Sequence, residues 1–201
     1  MRGLLSALVA LAVPFGAARA QDTPAEPLAR VAALELSRQF DEASWRALLT
    51  HAQPEVRAAA ARGLGRLQVP AAKEMLWKAL GDQAVPVRVE VAFALGQTPE
   101  VAPARLIKAL AKRRDPTVRR TLIEGVGKRG TPAEVGALLK LAKAGPAPER
   151  AAALVALALI ARREDGPVAG LDATPVSAAL GDADAAVRAA GAYLLMRAKG
   201  L

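Results

Sequence analysis

The chain has 201 residues, 53% of them hydrophobic and only 3% aromatic, with no cysteine and a formal net charge of +9. That apolar content supports a substantial core and excludes a disordered polyelectrolyte, while the missing cysteine excludes disulfide frameworks, thiolate metal sites and a cysteine nucleophile. Scarce aromatics beside abundant alanine favour closely packed helices over a sandwich or barrel, whose strands want aromatic and β-branched residues.

Residues 1–20 read as a secretory signal peptide. Met1-Arg2 gives a positive start, Leu4 to Phe15 a short apolar run, and Ala18-Arg19-Ala20 a small-x-small cleavage site. The run falls short of the ~20 residues that a membrane-spanning helix needs. Cleavage is expected after Ala20, leaving residues 21–201 as one helical domain in the periplasm or outside the cell, with retention as an uncleaved anchor the alternative. Processing removes Arg2 and Arg19, so the formal charge falls from +9 to +7.

Thr23-Pro24-Ala25-Glu26 has the form of a capping box with proline at the first helical position. A helix is expected from there to about Gln39, and a short return helix carrying Trp45, Leu48 and Leu49 from about Asp41. This first pair matches the later pattern loosely, as a terminal repeat that shields a stack does.

From Gln53 the chain repeats itself. Arg57, Arg88, Arg119 and Arg150 stand 31 residues apart, and Arg188 follows after 38. Four residues after each arginine come Ala61, Ala92, Ile123, Leu154 and Ala192, and seven after come Leu64, Leu95, Val126, Leu157 and Leu195, which together mark one helical face. Gly63, Ala94, Gly125 and Ala156 occupy the sixth position, where small residues let a neighbouring helix approach. Gly65, Gly96 and Gly127 recur near the helix end and read as left-handed caps. Between these helices lies a second set, with Pro70, Val101 and Pro132 near the starts, Leu76, Ile107 and Leu138 as one buried column, and a capping box at Thr131 to Glu134. The longer last step places seven extra residues around Arg162 to Thr174, followed by a short helix near Pro175 to Leu180 and a long one from about Asp184 to Ala198.

Two residue sets carry the candidate chemistry. The arginine column, Arg57, Arg88, Arg119, Arg150 and Arg188, sits in the first helical turn, where the dipole disfavours a cation unless an acid lies close. Asp82, Asp115, Asp182 and Asp184 stand four to six residues before their arginines, so a structural ladder within and between repeats is the better reading than a binding site. The second set lies on the return helices, on the stripe opposite the buried column. It comprises Glu74, Trp77 and Lys78, then Arg105, Lys108 and Lys112, then Gly136, Leu139, Lys140 and Lys143, a markedly basic track with one tryptophan that suits an interface anchor. The competing reading has Trp77 folded onto the adjacent repeat and the lysines serving solubility.

Other signals carry less. Gly125 to Gly130 lacks the spacing and the strand-to-helix setting of a phosphate loop and ends a helix instead. His51 is the only histidine, reads as a solvated turn residue and has no partners for a metal site. No catalytic constellation is evident, and no cofactor or metal is expected.

Asp115-Pro116-Thr117-Val118-Arg119, Asp184-Ala185-Ala186-Val187-Arg188 and Val87-Arg88 to Ala94-Leu95-Gly96 resemble the D-x-x-V-R-x-x-A-x-x-A-L-G pattern of short HEAT-like repeats, the phycobilisome-lyase type, over about residues 53–201. The pattern departs at Glu149-Arg150, where valine is missing and Pro146 and Pro148 precede the helix. The resemblance implies an all-α, right-handed solenoid of five to six antiparallel helix pairs. It also implies that the second helices, and with them the basic stripe, line a concave surface that binds a protein, here an acidic one, without catalysis. Two enzyme-related alternatives share the architecture, phycobilin lyase subunits and nucleic-acid-binding DNA glycosylases of the HEAT-like type. The expected export argues against genomic DNA as the partner, and no bilin-specific residue is recognisable.

Overall fold

In this computed structural model residues 24–201 are described, so the expected signal peptide and Thr23 lie outside them. Helix starts follow from proline and aspartate. Proline stands in the first turn of α3 (Pro54–Leu67), α5 (Val85–Gln97), α6 (Pro103–Leu110), α7 (Pro116–Arg129), α9 (Ala147–Arg163) and α10 (Thr174–Leu180), where its fixed φ suits a helix and its missing N–H costs nothing. Side chains of Asp41, Asp115 and Asp184 accept amide hydrogens at the starts of α2 (Glu42–Leu49), α7 and α11 (Ala185–Arg197). The remaining helices are α1 (Ala25–Ser37), α4 (Lys73–Ala79) and α8 (Val135–Ala144). No strand occurs among the described residues, and none of their helices is long and apolar enough to cross a membrane.

The helices alternate long and short, giving five pairs closed by α11. The long helices α3, α5, α7, α9 and α11 pack against one another in sequence, whereas the short helices α4, α6, α8 and α10 scarcely meet. Small residues cause this difference. A Cβ on Gly96 would lie 2.7 Å from the Cα of Gly125, and one on Gly127 would lie 2.7 Å from the Cα of Ala156, so successive long helices touch backbone to backbone. These glycines, and Gly65 likewise, therefore sit inside their helices as close-packing residues rather than as left-handed caps. Positive φ is found instead at Arg38, Gln68 and Glu100 and at Gly170 and Gly200.

A stack whose long-helix layer is tight and whose short-helix layer is splayed curves toward the long helices. The short helices and the basic stripe consequently occupy the wider, outer side, which corrects their expected place in the hollow. The core runs between the layers. Val56, Val87, Val118 and Val187, each preceding a ladder arginine, are buried together with Leu64, Leu95, Val126 and Leu157. Leu195, expected in this last column, is 46% exposed, and its neighbour Leu194 is buried in its stead. On the short helices the buried column is Leu76, Leu106 and Leu138, not Ile107. A 3-10 turn precedes α4 at Pro70–Ala72 and α8 at Pro132–Glu134, but α6 follows its loop directly, which shifts its register by one residue.

The arginines tie successive repeats. Arg57 grips Asp82 of the next repeat through Nε and Nη2 at 2.7 and 2.9 Å, and Arg150 grips Asp182 through Nη2 at 2.8 Å to both oxygens. Asp82 lies below its ordinary pKa, held there first by the hydrogen bond from Arg57. Arg119 meets no aspartate and is bound instead by Glu149, at 2.7 and 2.8 Å. Glu149 takes the position of the buried valines and is itself buried, so the departure from the repeat pattern supplies a ladder partner. Each ladder arginine also donates to loop carbonyls before its helix, as Arg188 does to Asp182 and Ala183 at 2.8 Å. Arg88 and Arg188 make no ion pair among the described residues. Asp115 and Asp184 cap helices and pair with no arginine. Arg163, from the expected insertion, reaches back to the carbonyls of Gly127 and Gly130 and closes the end of α7.

Two stability outcomes follow from this packing. Gly96→Ala should destabilise by about 1–3 kcal/mol, because overpacking against backbone outweighs a gain in helix propensity, whereas Gly136→Ala in α8, with open space around its Cβ position, should stabilise by up to about 1 kcal/mol. Thermal melts of both variants test the close packing, and a Gly96→Ala variant as stable as the wild type would contradict it. Arg119→Ala strands the buried Glu149 carboxylate and should cost about 3 kcal/mol, read as a melting temperature about 9 °C lower. Adding Glu149→Val, which restores the valine of the other repeats, should recover most of that loss; no recovery would contradict the ladder account.

Candidate interaction surface

The stripe residues divide into two groups. Arg105 is neutralised by Glu74, with Nη1 and Nη2 donating to its carboxylate oxygens at 2.8 and 3.3 Å, and the Glu74 carboxyl is held below its ordinary pKa first by that bond. The same guanidinium lies 4.2 Å from the ring centroid of Trp77. Trp77 is half-buried against the core, and its indole nitrogen has no hydrogen-bond partner among the described residues. It packs beneath Arg105 at the α4–α6 junction instead of standing free as an anchor.

Lys78, Lys108, Lys112, Lys140 and Lys143 form the second group. All five are exposed, and their ammonium groups make no ion pair among the described residues. Lys108 lies two residues from each of the buried Leu106 and Leu110, and Lys78 and Lys140 lie two residues beyond Leu76 and Leu138. Helical spacing therefore turns these lysines away from the core. The splayed short helices leave grooves between them. Lys78 lines one of about 630 Å³ whose floor holds Arg57 and Asp82, Lys140 one of about 480 Å³ over Arg119 and Glu149, and Lys143 one of about 490 Å³ over Arg150 and Asp182. His51 belongs to the first of these grooves. Its Nδ1 accepts from the Gln53 amide at 3.2 Å and its carbonyl accepts from Arg57 at 2.8 Å, so it anchors the turn rather than being merely solvated.

The long-helix face differs in kind. Its cations are largely held by the protein itself, with Arg62 on Glu90, Arg66 on Glu35 at 2.9 Å and Arg120 on Glu124 at 3.5 Å. Lys128 lies 5.0 Å from the Phe93 ring and Arg197 5.2 Å from the Tyr193 ring. The sequence stripe did not reveal this contrast, because pairing across repeats depends on which faces meet.

The sequence profile of the family described as HEAT repeats matches residues 17–96, 42–111 and 83–158, which together span well over half of the chain. No curated protein matches it. The 31-residue period, the stacked helix pairs and the profile agree, and the chain belongs to the HEAT repeats family as a helical repeat scaffold of the kind that mediates protein interaction.

Proposed function

We propose that this protein is a non-catalytic scaffold or adaptor of the cell envelope that binds an acidic protein partner through the lysines of its outer, short-helix face. The observation that carries the reading is the row of five exposed lysines without a carboxylate, beside a long-helix face whose cations are mostly satisfied internally. Unpaired surface charge of one sign steers and orients an oppositely charged partner more than it stabilises the fold. The repeats are of the short, phycobilisome-lyase-like type, supported by Asp115-Pro116-Thr117-Val118-Arg119 and Asp184 to Arg188. The absence of an evident nucleophile–base pair in the sequence supports binding without catalysis. Export is supported by the charged start, apolar run and Ala18-Arg19-Ala20 of the first 20 residues.

Two outcomes test this reading. Intact mass of the protein recovered from its native cell envelope should correspond to a chain beginning at Gln21; a chain retaining residues 1–20 contradicts export by cleavage. A partner captured from that envelope fraction should bind the double variant Lys108→Glu/Lys112→Glu about tenfold more weakly at low salt, and with a flatter salt dependence. Affinity indifferent to salt and to both reversals would make the lysines ordinary solvated surface, and tighter binding to duplex DNA than to the partner would favour a nucleic-acid role.

A further inference from the structure

Two ladder arginines, Arg88 and Arg188, make no ion pair among the described residues; Arg188 stands on the last helix, whereas Arg88 lies between filled rungs. The Nη1 of Arg88 donates to the carbonyls of Asp82 and Gln83, both at 2.8 Å, as the Nη1 of Arg57 donates to those of His51 and Ala52 at 2.8 and 2.9 Å. The two guanidiniums are thus pinned alike. Arg57 then turns its Nε and Nη2 edge onto the Asp82 carboxylate, whereas the same edge of Arg88 meets no acceptor among the described residues.

The reason lies in the register. Asp82 and Asp182, the aspartates that fill rungs, stand six residues before the next ladder arginine, and the residue six before Arg119 is Arg113. Its backbone holds the equivalent place, since the Arg113 carbonyl accepts from Arg119 Nη1 at 3.2 Å. The sequence thus offers a cation at the position where the neighbouring rungs have an aspartate, and the buried Nε of Arg113 has no acceptor among the described residues. Lys112 and Arg114 flank it, both exposed. The nearest acid in sequence, Asp115, is engaged at the start of α7, where one oxygen accepts from the Thr117 and Val118 amides at 3.0 Å.

We propose that the Arg88–Arg113 junction between α5 and α7 is a docking site for a carboxylate side chain of an acidic partner segment, which completes the ladder from outside. It rests on the acidic-partner reading and gives that reading a site. A carboxylate is the fitting anion because the filled rungs hold planar, two-oxygen groups in forked contact with guanidinium, and because an acceptor entering here meets uncompensated donors instead of displacing an existing pair. Lys108 and Lys112 continue the positive surface from α6 to the junction and provide contacts for further acidic residues of the same segment.

Binding of a short fluorescent polyglutamate peptide to the processed chain at low salt, followed by anisotropy beside thermal melts, tests the site. Arg113→Asp re-creates the Asp-x-Asp sequence found at 182–184 and fills the rung from within. It should raise the melting temperature and weaken peptide binding about tenfold, as should Arg88→Gln for binding. Arg114→Asp, with the same change of charge, should weaken binding no more than about threefold and bring no thermal gain. Equal losses for Arg113→Asp and Arg114→Asp overturn the site and leave a diffuse basic surface. Loss in Lys108→Glu/Lys112→Glu with Arg113→Asp unaffected overturns the site alone, whereas a wild-type chain that ignores the peptide overturns the acidic-partner reading with it. Competition by inorganic phosphate at equal charge, or preference for duplex DNA over the peptide, overturns the choice of a carboxylate.

Discussion

The backbone contact between successive long helices is the constraint on which the rest of the structure depends. Where Gly96 faces Gly125 and Gly127 faces Ala156, no side chain separates the helices, so the long-helix layer takes the smallest spacing that backbones permit. The short helices, carried on the far side of the same repeats and bearing larger residues, must then spread. Curvature, the grooves between α2 and α4, α6 and α8, and α8 and α10, and the outward presentation of the lysines are consequences of that one difference in spacing.

The ladder works within this geometry. Each filled rung lies at the floor of a groove opened by the splay, where a forked pair at partial burial resists screening better than a surface pair does. Pairs of this kind lock the register between repeats, which in a quasi-one-dimensional array decides whether nearest-neighbour coupling propagates. The protein meets the demand with different acids, Asp82 and Asp182 from the loops and Glu149 from the helix itself. Where neither is present, at Arg88, the internal chemistry stops short and cationic surface begins.

Much of the fold was legible in the sequence because the long helices repeat every 31 residues, and a periodic column identifies both the helix and its buried face. The aspects that were not legible have separate physical causes. A glycine eight residues after the arginine suits a cap as well as a close approach, and only the position of the neighbouring helix decides between them. The 31-residue step from Leu76 points to Ile107, but the missing 3-10 turn before α6 brings Leu106 into the core. Which layer lies inside the curve depends on relative spacing, which a single repeat does not contain. The stripe lysines were found by spacing alone, but not the neutralisation of Arg105 by Glu74 or the shelter it gives Trp77, since these join residues 31 and 28 positions apart across two repeats. The Glu149 rung was visible as an exception to the valine column, and its role emerged only from the position of Arg119.

The most direct measurement of the central claim is a lysine-acetylation footprint of the processed chain, free and bound to its envelope partner. Binding should protect Lys108, Lys112 and Lys140 on the short-helix side and leave Lys128, beside Phe93 on the long-helix side, as reactive as in the free protein. Protection of Lys128 with the other three unchanged would place the partner on the opposite face and contradict the claim.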